Sequence, residues 1–230
     1  MNFETEADTG AAVDFEAWKA AFCGAVLAAF GERIVCAGVQ GSRARGEAGE
    51  KSDIDAVLIL DRLTPADLVC YRSLAAGLPH AGLMCGFVSG KAELFAWDAA
   101  DLVSFYFDTV CLIGSLGFLQ ARITPEAARR SVHLSACGLY HALCHAAVFE
   151  PEPLSPRAFA KAAFFLMRTQ RYLETGKYPL RLSALLPLLN AEERALLRPL
   201  GRDFVPADAS GFDRAALAWC TQMIMRYTGQ

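Results

Sequence analysis

Between Phe15 and Phe30 the apolar positions fall three or four residues apart: Phe15, Trp18, Phe22, Val26 and Phe30. That spacing marks one face of an α-helix. Asp14 stands where an N-cap belongs and Gly31 where the helix should stop. The period then changes. Ile34–Val39 is a short apolar run, and Ala56–Leu60 is a second unbroken one, as expected of strands covered on both faces. The second strand is expected over Ser52–Leu60. Between the two runs, Gln40–Lys51 is a polar loop with room for one helical turn. Thr64-Pro65-Ala66-Asp67 combines an N-cap, a proline at the first helical position and an acid in the first turn. It predicts a helix to about Ala76, closed by Gly77. Leu83–Val88 predicts a third strand, Ala92 to about Phe107 a helix, and Val110–Ile113 a fourth strand.

The texture changes near residue 120. Thr124-Pro125-Glu126 opens a long helix to about Phe149. Pro151–Pro156 is a stiff loop, and Ser155-Pro156 starts a helix that carries Phe159, Phe164-Phe165-Leu166 and Tyr172 and stops at Gly176. Leu182–Leu189 predicts a short helix. Asn190-Ala191-Glu192-Glu193 has the form of a capping box, and Ser210 is placed to cap a last helix from Phe212 to about Tyr227. No strand-like alternation occurs in this half. The expected fold class is therefore α+β: an α/β domain with a short mixed sheet over residues 1–122, then an all-α helical bundle over 123–230.

Composition narrows the setting. Of 230 residues, 54% are hydrophobic, enough to fill two cores. No unbroken apolar run approaches the roughly 20 residues of a membrane span. The start, MNFETEADTG, lacks the basic and apolar regions of a signal peptide. Eight cysteines are scattered without a C-x-x-C pair and read as reduced core residues of a cytoplasmic protein. Net charge is -3, unevenly spread: residues 1–122 hold 9 Lys and Arg against 16 Asp and Glu, and the rest 13 against 9. An acidic front half suits cations and a basic substrate, although a surface fluctuation gives the same counts. No dense basic patch marks a nucleic-acid-binding protein.

The chemistry concentrates in Gly41–Leu60. Alternate residues of a strand share a face, so Asp53 and Asp55 should point together with Ile54 buried behind them. Adjacent carboxylates repel, and desolvating them without a counter-ion is costly. Oxygen ligands with positions left for phosphate suit Mg²⁺. Gly41-Ser42 offers backbone N–H groups and a hydroxyl to a phosphate chain.

These residues resemble the DNA polymerase β-like nucleotidyltransferase superfamily. Its pattern is an apolar residue, Gly and Gly or Ser, a spacer, then two acids flanking an apolar residue. Here it runs Val39-Gln40-Gly41-Ser42, RARGEAGEKS, Asp53-Ile54-Asp55-Ala56. The ARGEA spacer is most similar to minimal and kanamycin-type antibiotic nucleotidyltransferases, which often join a small α/β domain to a HEPN-like or substrate-binding helical bundle. The resemblance implies that Gly41 and Ser42 hold the phosphates of a nucleoside triphosphate and that Asp53 and Asp55 ligate Mg²⁺. Arg43 or Arg45 would neutralise phosphate charge, the alternative being a solvated loop cation. The implied reaction moves a nucleoside monophosphate from an NTP to a hydroxyl of a small molecule or protein. An alternative is a nucleotide-binding but catalytically weak homologue, acting as a regulatory or interaction module.

One part of the pattern has no match. Active members usually carry a third acid on a neighbouring strand, and Leu83–Val88 has none; His80 precedes it and Glu93 follows it. A base from the helical half, Glu150 or a histidine, would be the substitute. Three further groups invite chemistry. His141 and His145, four apart with Cys137 and Cys144 nearby, have zinc-ligand spacing, but their helix is apolar and core or interdomain histidines are the expectation. Arg129-Arg130-Ser131-Val132-His133 is too short for the R-x(4–6)-H of HEPN ribonucleases. Lys161, Arg168 and Arg171 share a helix and would face either solvent or a triphosphate. So apolar a bundle can also supply a homodimer interface.

Overall fold

A computed structural model describes residues 13–50, 52–201 and 209–228. The chain divides into two compact units. One holds the described residues up to Trp97 together with Asp108–Gln120; the other holds Asp98–Phe107 and the described residues from Ala121 onward.

The first unit is built on a four-stranded mixed sheet in the order β3-β2-β1-β4. Its strands are β1 (Ile34–Gln40), β2 (Ile54–Leu60), β3 (Met84–Gly90) and β4 (Val110–Gly114). β1 runs antiparallel to β2 and β4, while β3 lies parallel to β2. Helix α1 (Phe15–Phe30) opens as expected, with the Asp14 carboxylate accepting the Ala17 N–H at 3.0 Å, and closes at Gly31 with φ 53°. Its buried stripe, Trp18, Phe22, Val26 and Phe30, packs on Ala37, Val39, Ile54, Ala56, Leu58 and Leu60. Trp18 and Phe22 stack with centroids 5.1 Å apart. β2 is buried along nearly its whole length, which is why its sequence is unbroken rather than alternating.

Helix α3 (Pro65–Ala76) carries the capping box that its first four residues predict, Thr64 and Asp67 each bonding the other's backbone N–H. Arg33 adds to this corner, reaching Asp67 at 2.7 and 3.0 Å and Asp61 at 3.2 Å. The single helix expected over Ala92–Phe107 is two, α4 (Lys91–Ala96) and α5 (Ala99–Asp108). Asp98 supplies the break: its carboxylate accepts the Ala100 N–H at 2.9 Å, as a new N-cap does. Beyond the break the chain joins the helical unit.

That unit comprises α5, α6 (Pro125–Phe149), α7 (Pro156–Thr175), α8 (Leu182–Leu185), α9 (Ala191–Leu197) and α10 (Ala209–Tyr227). α10 begins ahead of the expected cap Ser210; residues 202–208, which precede it, lie outside the described residues. Val132, Ala136 and Leu139 of α6 meet Phe159, Ala163 and Met167 of α7 and Trp219 and Met223 of α10 in one core. α6 is the one described helix long and apolar enough, by length and composition alone, to cross a membrane.

Several side chains differ from expectation. His141 and His145 are exposed on α6, not buried, because the stripe Val132, Ala136, Leu139, Leu143 and Ala146 takes the opposite face. Their rings lie 5.8 Å apart. Among the described residues no group of three or more His, Cys, Asp or Glu is arranged to hold a metal. Lys161 is exposed, but Arg168 is fully buried, donating to the Pro179 carbonyl at 3.0 Å and lying over the rings of Phe164, Phe165 and Tyr178. Arg171 is held by Glu174 and Glu193, each at 2.7 Å. All eight cysteines are free thiols, and Cys70 and Cys85 are exposed rather than in a core.

Candidate functional site

β1 delivers the site. Its last residue, Gln40, pairs with Asp55 across the antiparallel ladder. The chain then turns at Gly41, with φ 73°, into the single-turn helix α2 (Gly41–Arg45). This turn presses the backbone against the Asp55 carboxylate. A Cβ on Gly41 would overlap Asp55 Oδ2 and stand 2.8 Å from its Cγ. Glycine is therefore required twice, by the positive φ and by the neighbour. Ser42 follows, half-buried, and its carbonyl accepts the Glu47 N–H at 2.8 Å.

The loop back to β2 is tied from within. Arg43 donates to the carbonyls of Ser52, at 2.6 and 3.0 Å, Asp53, at 3.2 Å, and Glu50, at 3.4 Å. Arg45 pairs with Glu47 at 2.9 Å. Asp53 sits one residue ahead of β2 and is exposed; Ile54 is fully buried; Asp55 is half-buried. The in–out alternation expected of an Asp-Ile-Asp segment is thus present, although the strand begins one residue past Asp53.

On the other side of Asp55 stands Cys85. The parallel register pairs the two residues, and the Cys85 thiol donates to Asp55 Oδ1 at 3.1 Å. The next residue fixes that register. Gly86 has φ 144°, and a Cβ there would run into the backbone of Ala56. β3 can lie this close to β2 only with glycine at that point. The Asp55 carboxylate is consequently bracketed, Oδ2 against Gly41 and Oδ1 against Cys85.

The two titratable residues flanking β3, Glu93 and His80, differ in reach from what the sequence allows. Glu93, on the first turn of α4, folds its carboxylate back against Gly90. Gly90 pairs with Leu60, five residues along the strand from the Cys85–Asp55 pair, or roughly 16 Å at the usual strand rise. Glu93 is at the wrong end of the sheet to serve Asp55. His80 precedes β3 with φ 56° and its carbonyl accepts the Leu83 N–H at 2.9 Å. No Asp or Glu lies on β3 itself.

A two-strand ladder thus carries a glycine-serine turn at one end with an acid pair opposite. Residues 26–100 match the family model of the nucleotidyltransferase domain. That stretch includes Gly41, Ser42, Asp53, Asp55 and Cys85. The solved structure of spectinomycin adenyltransferase AAD(9) from Enterococcus faecialis, with ATP and spectinomycin, has the same fold, with a TM-score of 0.56 at 12% identity over 91% of this chain and 99% of that one. No curated protein matches the chain in sequence. Within the matched stretch, Cys85 is the residue that sequence reasoning passed over. Its signal was its place on the expected third strand; its partner follows only from the β2–β3 register.

Proposed function

We propose that this protein is a Mg²⁺-dependent nucleotidyltransferase that moves a nucleoside monophosphate from an NTP to a hydroxyl of a small molecule. The single observation that carries the reading is the Gly41–Asp55 contact, a turn with its Cβ space given over to a half-buried carboxylate. A glycine there would let phosphate oxygens reach the backbone N–H groups beside a carboxylate with which they could share a cation. The first N–H groups of a helix lack intrahelical acceptors, and Gly41, Ser42 and the Ser42 hydroxyl would hold the β- and γ-phosphates. Asp53 and Asp55 would hold Mg²⁺. Two carboxylates fit it, since Mg²⁺ keeps most of its positions for phosphate oxygens and water. When bound, Mg²⁺ supplies Lewis-acid stabilisation of charge on the transferring phosphoryl group and the leaving pyrophosphate.

The chain's own residues do the positioning. Asp55 is held by the Cys85 thiol on Oδ1 and crowded by the Gly41 backbone beside Oδ2, which would favour one orientation toward a cation. Arg43 spends its donors on the carbonyls of the loop, and we assign it to holding Asp53 at the head of β2. Arg45, paired with Glu47, would have to exchange that partner to meet phosphate charge.

Charge and fold support a choice of the acceptor to test first. The front half is acidic, and the protein of like fold was solved with ATP and spectinomycin. A hydroxyl-bearing cationic aminocyclitol is the first acceptor to test. A second reading, a nucleotide-binding module of low turnover, is favoured by one observation, the absence of any acid from β3. Missing general-base catalysis forfeits about 10²–10⁴ in rate.

Calorimetric titration of MgATP and the other NTPs into the wild type, Asp53→Asn and Asp55→Asn tests the common ground. The wild type should bind one NTP, and each variant at least tenfold more weakly. A wild type that binds none sinks both readings. Pyrophosphate release with spectinomycin and related acceptors then separates enzyme from binder.

A further inference from the structure

We propose that Cys85 is a positioning residue of this site, orienting Asp55 through its thiol. The inference rests on the nucleotidyltransferase reading above and adds a residue to it. Three observations carry it. The register places Cys85 directly opposite Asp55. Its Sγ lies 3.1 Å from Asp55 Oδ1. Gly86 locks β3 against Ala56, so the pairing cannot slip.

The chemistry follows from what a thiol is. It donates one weak hydrogen bond and carries no charge while protonated. Opposite Asp55 it takes the lone pair that would otherwise point along β3, which leaves the carboxylate held without adding a negative charge. A carboxylate in the same place would add repulsion to the Asp53–Asp55 pair and would require the cation for stability. The site therefore works with two negative charges, and Cys85 supplies the third contact as a hydrogen bond. Being exposed, Cys85 is also open to thiol reagents.

The test has two arms on the full chain. In the first, iodoacetamide labelling is followed by peptide mass spectrometry, with and without MgATP or whichever NTP the titration identifies. Cys70, exposed on α3, is the internal control. Bound nucleotide should slow labelling of Cys85 at least fivefold and leave Cys70 unchanged. In the second, Cys85→Ala should weaken nucleotide binding about fivefold, the scale of one ordinary hydrogen bond, with an unaltered melting temperature. Cys85→Ser, which keeps a donor, should recover at least half of that loss. Cys85→Asp should lower the melting temperature in EDTA and regain it in Mg²⁺, a response larger than that of the wild type. If the wild type binds nucleotide but Cys85 labels equally fast with and without it, and alanine and serine behave alike, the positioning role is overturned while the nucleotidyltransferase reading stands. If the wild type binds no nucleotide, the failure belongs to that reading instead.

Discussion

At Gly41 two constraints meet in one residue: a φ of 73° and a carboxylate in the space a side chain would need. Gly41→Ala should therefore cost more than the strain of a left-handed alanine alone, about 1–3 kcal/mol in stability. It should also push Asp55 off its ladder position and weaken nucleotide binding at least tenfold. Calorimetry and a denaturant melt on the same variant separate the two effects; binding at the wild-type level would show that the turn is structural only. Arg168 presents the opposite case, a charge whose place is packing. Its guanidinium lies 4.7–5.3 Å from three ring centroids and is fully buried. Arg168→Lys keeps the charge but loses the flat stacking surface, and should lower stability of the helical unit by about 1–3 kcal/mol. An unchanged melt would count against this assignment. Spacing alone placed Arg168 with Lys161 and Arg171 as one basic face. It could not show that Phe164, Phe165 and a tyrosine thirteen positions from Phe165, Tyr178, close over the middle one.

Elements were legible where their ends carry local chemistry. The caps at Asp14, Thr64, Thr124 and Asn190 all bond as their sequences imply. The α4–α5 break escaped because apolar bulk runs through Leu94, Phe95, Trp97 and Leu102 and masks Asp98, itself an N-cap residue. The register between β2 and β3 escaped for a different reason. It is a long-range fact, set where Gly86 meets Ala56, and no local pattern encodes it. So the Gly-Ser turn and the two aspartates of the site could be read from the chain, and Cys85 could not. The corner at the start of α3 yields a pH prediction. Arg33 and Thr64 hold the Asp67 carboxyl well below the usual carboxylate range. A depressed carboxylate adds stability that is present above its unfolded value, about 3.9, and is lost as pH falls through its folded value. Asp67→Asn should thus lower the melting temperature at pH 7 and flatten the acid side of the stability curve below about pH 4. Parallel curves for variant and wild type between pH 5 and 3 would refute the assignment.

At the scale of the whole molecule, the chain does not pass from one unit to the other once. It enters the helical unit at Asp98, leaves after Phe107, and returns at Ala121. α5 therefore belongs by packing to helices that follow it in sequence. Val103 is buried with Ala127 and Ala128. Phe107 stacks on Tyr178 at 4.5 Å and meets Tyr172 at 4.6 Å. Arg130 reaches Asp98 at 3.0 Å, an exposed pair that contributes little. The apolar contacts dominate: truncating one well-packed Phe costs about 3–5 kcal/mol, and aromatic pairs add about 0.5–1.5 kcal/mol each. These magnitudes decide how the molecule can be divided. A fragment of residues 123–230 lacks α5 and leaves the Ala127–Ala128 face, Tyr172 and Tyr178 open to water. A fragment of residues 98–230 keeps them covered, at the cost of an unpaired β4 segment trailing between α5 and α6. The burial outweighs the entropy of carrying a loop of that length, which rises only slowly with added residues. Thermal unfolding followed by circular dichroism should show a cooperative transition for 98–230 at a higher temperature than for 123–230. Equal transitions, or a better-behaved 123–230, would mean that α5 contributes nothing to the helical core and that the chain divides after Arg122, where the change of texture in the sequence falls.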